Sequence, residues 1–206
     1  MNYKIFALIF SSLMGLLGCR PDGHSDSGNE AEAMALKQSA MQAAVGGTKA
    51  TNLPKEVRAF LDVIAYAEGT GSSYNIRYGG QRFTDLRKHP RIYSSSPWGT
   101  PGVGSDAAGR YQFLSKTWDD IIKKVNLADF SPANQDHAAV FLIKKKSPSI
   151  LEKIKKAHIR ANFVSAIRAL NCVWASLPPA CHPPQKVKTE QELWTVFQQA
   201  LKKYPH

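Results

Sequence analysis

Residues 53–69 constrain the fold of this chain more than any other segment, because they form the pattern of an amphipathic helix with a carboxylate on its apolar side. At 100° per residue, four side chains fall within a sector of about 60°: Val57, Leu61, Ile64 and Glu68. Glu68 lies in the last turn, before a Gly69 C-cap. Desolvation and the negative end of the helix dipole both disfavour a charged carboxylate, so we expect a raised pKa for Glu68, as a general acid near neutral pH needs. The alternative is that Glu68 reaches solvent from a fraying last turn.

The N-terminus has the pattern of an export signal. Lys4 precedes an uncharged run over residues 5–18, which is short for a bilayer span but suits a secretory signal. The run ends in a sequence that resembles the lipobox of bacterial lipoproteins, Leu16-Leu17-Gly18-Cys19. We expect residues 1–18 to be a lipoprotein signal peptide and Cys19 to become the acylated N-terminus; the alternative is an ordinary secretory signal with Cys19 as a thiol. The residue after the acylated cysteine is Arg20 and not aspartate, which resembles the pattern of lipoproteins retained in the outer membrane. We therefore expect a periplasmic protein whose lipid anchors it to the outer membrane.

The segment after the signal predicts a linker, and the overall charge indicates the kind of partner. Residues 19–51 are low in large apolar residues and contain Asp-Gly, Ser-Gly and Gly-Gly pairs, which predicts a lipidated N-terminus and a flexible linker. The chain carries a formal charge of +11, which suits an anionic partner: nucleic acid, a membrane face or the carboxylate-bearing bacterial wall. No nucleic-acid-binding signature accompanies the charge, and an export signal disfavours nucleic acid. We therefore expect the wall and the membrane as partners.

Residues 52–206 predict one α+β domain, mostly helical, with a small β-hairpin. Aromatic and β-branched residues flank Gly79-Gly80, which favours the hairpin. Residues 94–109 are too rich in Gly, Pro and Ser for regular structure, and Trp98 there is either a sugar-stacking platform or a staple that pins the loop. Further helices are predicted at residues 109–125, 132–145, 148–157 and 161–177 and from a capping box at Thr189-Glu190-Gln191-Glu192. The first of these has six inward-facing residues, Tyr111, Leu114, Trp118, Ile121, Ile122 and Val125.

The carboxylate residues that could lie near Glu68 limit how this chain could cleave a glycoside. Hydrolysis of a glycoside normally needs two of them, one as acid and one as nucleophile or base. Asp62 lies on a different face of the first helix from Glu68, whereas Asp85 and Asp106 could approach Glu68 in space. Aspartates in such segments more often serve turns or helix caps. If no second carboxylate is essential, a reaction that needs a single acid/base fits better.

Residues 55–178 contain a series of short blocks, which include Glu68-Gly69-Thr70, Phe83-Thr84-Asp85, His89-Pro90-Arg91, Ala108-Gly109-Arg110-Tyr111-Gln112, Asp129-Phe130-Ser131-Pro132 and Trp174-Ala175-Ser176-Leu177-Pro178. In these blocks and their order the chain resembles the phage lambda endolysin family. Many blocks in one order are more specific than any single motif. The resemblance implies a lysozyme-like fold and a lytic transglycosylase, which cleaves the MurNAc–GlcNAc β-1,4 bond of peptidoglycan without water and leaves a 1,6-anhydromuramoyl end.

The resemblance also implies site residues. Glu68 is the single catalytic acid/base, and Tyr111 and Gln112 line the cleft; their alternative is a core tyrosine and a solvated glutamine at a helix N-terminus. Gln135 is a substrate contact or part of a helix's first turn. After Pro178 the chain departs from the family, whose loop tyrosine falls on His182. The candidate substrate-binding residues are Tyr111, Gln112, Asp85, Gln135, Trp98 and His182.

The cysteines predict a disulfide, and the histidines give no sign of a metal site. Once Cys19 is acylated, Cys172 and Cys181 remain, and in an oxidising periplasm we expect them to form a disulfide. The six histidines are scattered without ligand spacing, so we expect neither a metal nor a cofactor. We expect a monomer that acts on peptidoglycan glycan strands. The alternatives are a water-using muramidase of the same fold and a non-catalytic wall-binding lipoprotein that keeps the cleft.

Overall fold

A computed structural model describes residues 53–95, 104–181 and 186–204. Within these residues the elements are α1 (Lys55–Ala67), β1 (Ser94–Ser95), β2 (Gly104–Ser105), α2 (Ser115–Ile122), α3 (Pro132–Lys146), α4 (Pro148–Lys155), α5 (Arg160–Leu170) and α6 (Glu190–Leu201). The two strands pair antiparallel. This mostly helical architecture with one small sheet confirms the predicted α+β class. No helix of the described ranges has the length and apolar character that crossing a membrane requires.

The apolar face of α1 is the centre of the core. Phe60, Leu61 and Ile64 are buried on α1, which packs against α6 and α4. The ring of Phe60 meets that of Phe163 on α5 edge to face at 5.9 Å, and Phe163 packs on Phe197 of α6 at 4.9 Å. Because large aromatic rings contribute the most apolar area per residue, this contact fixes how α1, α5 and α6 assemble.

Local signals predicted most helix starts correctly. Thr189 caps α6 by accepting a hydrogen bond from the backbone N–H of Glu192 at 3.1 Å, as the capping box predicts. Pro132 opens α3 after Ser131, as predicted. The predicted end of α5 is wrong, because the helix stops at Leu170 and residues 171–177 form turns.

The predicted hairpin forms only its turn. Gly79 and Gly80 adopt positive φ angles of 86° and 88°, and the N–H of Arg77 donates to the carbonyl of Gln81 at 2.7 Å. The flanking residues make isolated bridges instead of strands, because Arg77 also pairs with Ala108 from a distant loop. The regular sheet lies elsewhere, within the stretch predicted to be irregular, where Ser94 and Ser95 pair with Ser105 and Gly104.

The helix predicted from residue 109 begins six residues late. Gly109 and Gln112 have positive φ angles of 81° and 48°, which an α-helix excludes. Asp106 ends this turn by accepting hydrogen bonds from the backbone N–H and the hydroxyl of Ser115, the first residue of α2. Ile122, predicted to face inward, is 38% exposed at the end of α2.

Candidate functional site

Glu68 stands at the end of α1, in the C-cap position. Gly69 follows with φ 75°, its N–H bonds to the carbonyl of Tyr66 at 3.0 Å, and the N–H of Thr70 bonds to the carbonyl of Ala65 at 3.0 Å. This is a Schellman ending, and only glycine adopts its left-handed residue readily. The turn holds the Glu68 side chain against the domain, where it is only 6% exposed. The alternative of a solvated Glu68 is therefore wrong.

The environment of Glu68 favours its neutral form. Burial raises the pKa of this carboxyl to about 7, while a hydrogen bond from the Ser176 hydroxyl to Oε1, 2.6 Å long, acts in the opposite direction. The expectation of a raised pKa is confirmed, with desolvation as its main cause. At neutral pH such a group is present in both protonation states, so it can give a proton in one step and take one in the next.

The aspartates considered as partners of Glu68 serve local structure instead. Asp85 accepts hydrogen bonds from the backbone N–H and the guanidinium of Arg87, and these bonds lower the pKa of Asp85. Asp106 binds Ser115 at the start of α2. Their turn and capping roles, the alternatives left open by the sequence, are the ones observed. Neither cause of the Glu68 pKa shift involves a second carboxylate.

Tyr111, predicted to line the cleft, and Gln135, predicted as a substrate contact or a first-turn residue, are both buried. Tyr111 is 1% exposed, and its hydroxyl donates to Asp136 at 2.6 Å. Gln135 is 0% exposed; its amide group donates to the carbonyls of Phe130 and Tyr74, and its oxygen accepts from the N–H of Arg110. The burial of these two side chains matches the alternatives that the sequence left open, a core tyrosine and a glutamine at the start of a helix, and not direct substrate contact.

Gln112 keeps an accessible position next to these buried side chains. It is half-buried, and its side-chain amide donates to the carbonyl of Gly109 at 2.9 Å across the left-handed turn. A Cβ at Gly109 would collide with the side chains of Gln135 and Phe130, so only glycine fits there. Gln112 remains a predicted substrate contact.

Arg110 is the centre of a buried charge cluster that sequence reasoning missed. Its guanidinium donates to Asp62 at 2.5 Å and to the hydroxyls of Tyr74 and Tyr111 at 3.1 Å, and it lies 3.9 Å from Asp136. The only sequence signal is that Arg110 belongs to the Gly-Arg-Tyr-Gln block. With opposite charges and several donors, these buried groups satisfy one another.

Ser176 was also missed, although it lies within another block of the resemblance. A closed series of hydrogen bonds starts beside Glu68 and leads back to it through Ser176. The Thr70 hydroxyl donates to the carbonyl of Arg110 at 2.5 Å, and the indole N–H of Trp174 donates to the carbonyl of Tyr111 at 3.2 Å. Ser176, two residues after Trp174, then donates to Glu68. Three segments distant in sequence thus fix the position of one carboxyl group.

The other residues predicted from the sequence are the three cysteines, Trp98 and His182. Cys172 and Cys181, the predicted pair, are joined by a disulfide with Cα atoms 5.2 Å apart. Cys19, Trp98 and His182 lie outside the described residues, so their roles stay predictions. Among the described residues no group of three or more His, Cys, Asp or Glu side chains could hold a metal ion.

The chain is similar to known proteins in sequence and in fold. The sequence model of the Endolysin family matches residues 58–203. The endolysin of Escherichia phage lambda is 39% identical over 131 residues, covering 60% of this chain and 77% of the relative. The endolysin of Escherichia phage P2 is 32% identical over 163 residues, covering 72% and 94%. The structure of bacteriophage lambda lysozyme complexed with a chitohexasaccharide is similar with a TM-score of 0.64 at 35% identity, covering 72% of this chain and 96% of that one.

Proposed function

This chain belongs to the Endolysin family, and from that premise we propose that it is a lytic transglycosylase with Glu68 as its single acid/base. Family membership makes it a lysozyme-like glycosidase that cleaves peptidoglycan. The proposal concerns the reaction course, namely cleavage of the MurNAc–GlcNAc β-1,4 bond with formation of a 1,6-anhydro ring. A lambda lysozyme structure is complexed with a chitohexasaccharide, which supports a glycan substrate for this chain.

The burial of the Glu68 carboxyl group carries the proposal. Glu68 is 6% exposed with a pKa of about 7, so near neutral pH much of it is a neutral acid. In the first step Glu68 gives its proton to the glycosidic oxygen as the bond from that oxygen to C1 of MurNAc breaks. In the second step the C6 hydroxyl of the same sugar attacks C1, and its proton passes to the Glu68 carboxylate. The acid is restored and no water is consumed.

A single acid/base is enough for this course because the nucleophile belongs to the substrate. An intramolecular hydroxyl is held near C1, so positioning replaces the activation that a base would give to water. A hydrolase consumes water and normally needs a second carboxylate, either as the nucleophile or as the base that activates the water. The engagement of Asp62 with Arg110, of Asp85 with Arg87 and of Asp106 with Ser115 supports the course without water.

The products of digestion test the proposal. Purified peptidoglycan is digested with the full chain and with Glu68→Gln, and the fragments are analysed by mass spectrometry before and after borohydride reduction. We expect 1,6-anhydro ends that borohydride does not change, and no fragments from the variant. Reducing MurNAc ends from the wild type would instead identify a muramidase. Full activity in Glu68→Gln would remove Glu68 from the reaction altogether.

We also propose that the enzyme acts in the cell envelope as a lipoprotein anchored through Cys19. The support is the lipobox-like sequence at the end of the apolar run at residues 5–18. Acylation predicts that the protein enters the detergent phase on phase separation and that Cys19→Ser enters the aqueous phase. Equal membrane association of both forms would contradict the anchor.

A further inference from the structure

The segment that carries Ser176 is irregular but tied at several points. Residues 171–181 follow α5 as a series of turns. The disulfide closes this segment between Cys172 and Cys181, and the Asn171 side chain donates to the carbonyl of Pro179 at 2.7 Å. Inside the closed loop, Trp174 is anchored by its hydrogen bond to the carbonyl of Tyr111. The disulfide and the side-chain hydrogen bonds therefore hold this segment in place of the regular backbone hydrogen bonds of a helix or strand.

Ser176 lies near the middle of this closed loop. Its hydroxyl donates to Oε1 of Glu68 across 108 positions of sequence, over 2.6 Å. The next residue, Leu177, is fully buried, and its N–H bonds to the carbonyl of Trp174 at 2.9 Å, so the backbone on both sides of Ser176 is held. The direction of the hydroxyl thus depends on the shape of the loop.

We propose that Ser176 is a positioning residue for the Glu68 carboxyl, and that the Cys172–Cys181 disulfide maintains the loop geometry that makes this contact. The proposal rests on the role of Glu68 proposed above and adds the groups that orient it. It also makes the enzyme dependent on oxidation, because the reduced chain lacks the bond that closes the loop.

The contact determines which carboxyl oxygen carries the acidic proton. Since the Ser176 hydroxyl donates to Oε1, the neutral acid keeps its own proton on Oε2, the oxygen that then serves the glycosidic bond. After that proton leaves, the same hydrogen bond stabilises the carboxylate, because bonds to charged acceptors are stronger. When Oε2 takes the proton of the C6 hydroxyl, the starting arrangement returns. Ser176 itself exchanges no proton with the substrate.

The disulfide acts by limiting the conformations of the loop. A closed ring of this size samples far fewer shapes than an open segment of turns. Cys172 is exposed, so a reductant in solution can reach the bond. Opening the ring lets Ser176 leave Glu68 while the core around Phe60 and Phe163 stays intact.

Replacement of the hydroxyl tests the first half of the proposal. Ser176→Ala is compared with Ser176→Thr, which keeps a hydroxyl, and with Ser165→Ala on α5, a half-buried serine whose oxygen accepts from the charged Lys153 at 2.8 Å. Rates on a soluble peptidoglycan glycan are measured from pH 5 to pH 9. For Ser176→Ala we expect kcat to fall about 10- to 100-fold with little change in KM, as for loss of a hydrogen bond to a charged group.

The pH profile separates positioning from general damage. Wild-type kcat should fall as the pH rises through about 7, where Glu68 loses its proton. Because the Ser176 hydrogen bond lowers the pKa of Glu68, its loss should move this alkaline limb to higher pH, whereas Ser176→Thr and Ser165→Ala should keep the wild-type limb. A lower kcat without a displaced limb would overturn the proposal, as would an unchanged kcat.

A double-mutant cycle tests the disulfide. Cys172→Ala/Cys181→Ala should lower kcat and move the limb in the same direction as Ser176→Ala, at a temperature where circular dichroism shows every variant folded. Added to Ser176→Ala, the cysteine changes should lower kcat less than about twofold further, because both act through one contact. A full additional loss, or wild-type activity of the cysteine variant, would overturn this half. Inactive Glu68→Gln and anhydro products from wild type would still uphold the proposed function.

Discussion

The two buried polar regions of this domain differ in how well their charges are compensated. Around Arg110, a guanidinium, the carboxylates of Asp62 and Asp136 and two tyrosine hydroxyls satisfy one another. At Glu68 a carboxyl group is equally buried, but the described hydrogen bond to its side chain comes from one serine hydroxyl. Glu68 and Asp136 are both buried, so burial alone does not distinguish the two regions.

The difference separates a structural group from a reactive one. Burial raises the pKa of Asp136, but hydrogen bonds from Tyr111 and Tyr74 and the charge of Arg110 oppose this and stabilise its carboxylate. Glu68 has less opposition, and its pKa reaches about 7. A compensated charge locks segments together, whereas a poorly compensated carboxyl can lose and regain a proton at neutral pH.

The largest effect should follow from removal of the reactive group. Glu68→Gln keeps the shape and the oxygen that accepts from Ser176 but cannot transfer a proton. We expect kcat to fall about ten-thousandfold, at the upper end of general acid–base effects, because Glu68 acts in both steps. Release of soluble fragments from peptidoglycan gives the rate. A loss below tenfold would place the acid elsewhere.

The compensated cluster should respond in stability instead. Arg110→Met takes the guanidinium away from the buried carboxylate of Asp136 and leaves Asp62 with the exposed Lys203, 3.5 Å away, as its cation. We expect a loss of about 3–5 kcal/mol in the free energy of unfolding, chiefly from the Asp136 carboxylate. Urea denaturation measures it. The matched control is Arg87→Met, which breaks the exposed pair with Asp85 and should leave the midpoint nearly unchanged. Equal effects of both variants would refute the contrast between the regions.

The reactive group should itself lower stability at alkaline pH. The pKa of Glu68 is about 7 in the folded state against an ordinary 4.5, so its favourable contribution is complete below about pH 4.5 and is lost as the pH rises through 7. Glu68→Gln should therefore be more stable than wild type at pH 8 by on the order of 3 kcal/mol, and this gain should vanish at pH 4. Calorimetry at the two pH values gives the comparison. Glu152→Gln, on the exposed side of α4, should show no such gain.

The smallest effect should come from the link between the two regions. Thr70 follows Glu68 by two residues, and its buried hydroxyl bonds to the carbonyl of Arg110. Thr70→Val keeps the shape of the side chain and loses that bond, so we expect the free energy of unfolding to fall by about 1 kcal/mol. The control Thr195→Val removes an exposed bond within α6 and should change stability by less than half as much. Indistinguishable unfolding midpoints would show that the link contributes nothing.

Local rules predicted what is decided within a few residues. The stripe of α1, its end at Gly69, the proline at the start of α3 and the Thr189 cap all follow from helix periodicity and end signals, and the structure has each of them. The late start of α2 escaped these rules, since the turn with left-handed residues Gly109 and Gln112 is held by Gln135 of α3, whose side-chain oxygen accepts from the N–H of Arg110.

The sequence by itself determined that Glu68 lies on the apolar stripe of α1, because the helical period places it there within seventeen residues, 53–69, and from this position it predicted a raised pKa. Only the tertiary structure decided that Ser176 reaches Glu68, that Arg110 binds Asp62 and lies beside Asp136, and that Tyr111 and Gln135 are buried. The physical reason is range. Helix patterns depend on neighbours three or four positions apart, whereas the partner of a buried polar group depends on which distant segments the whole core brings together.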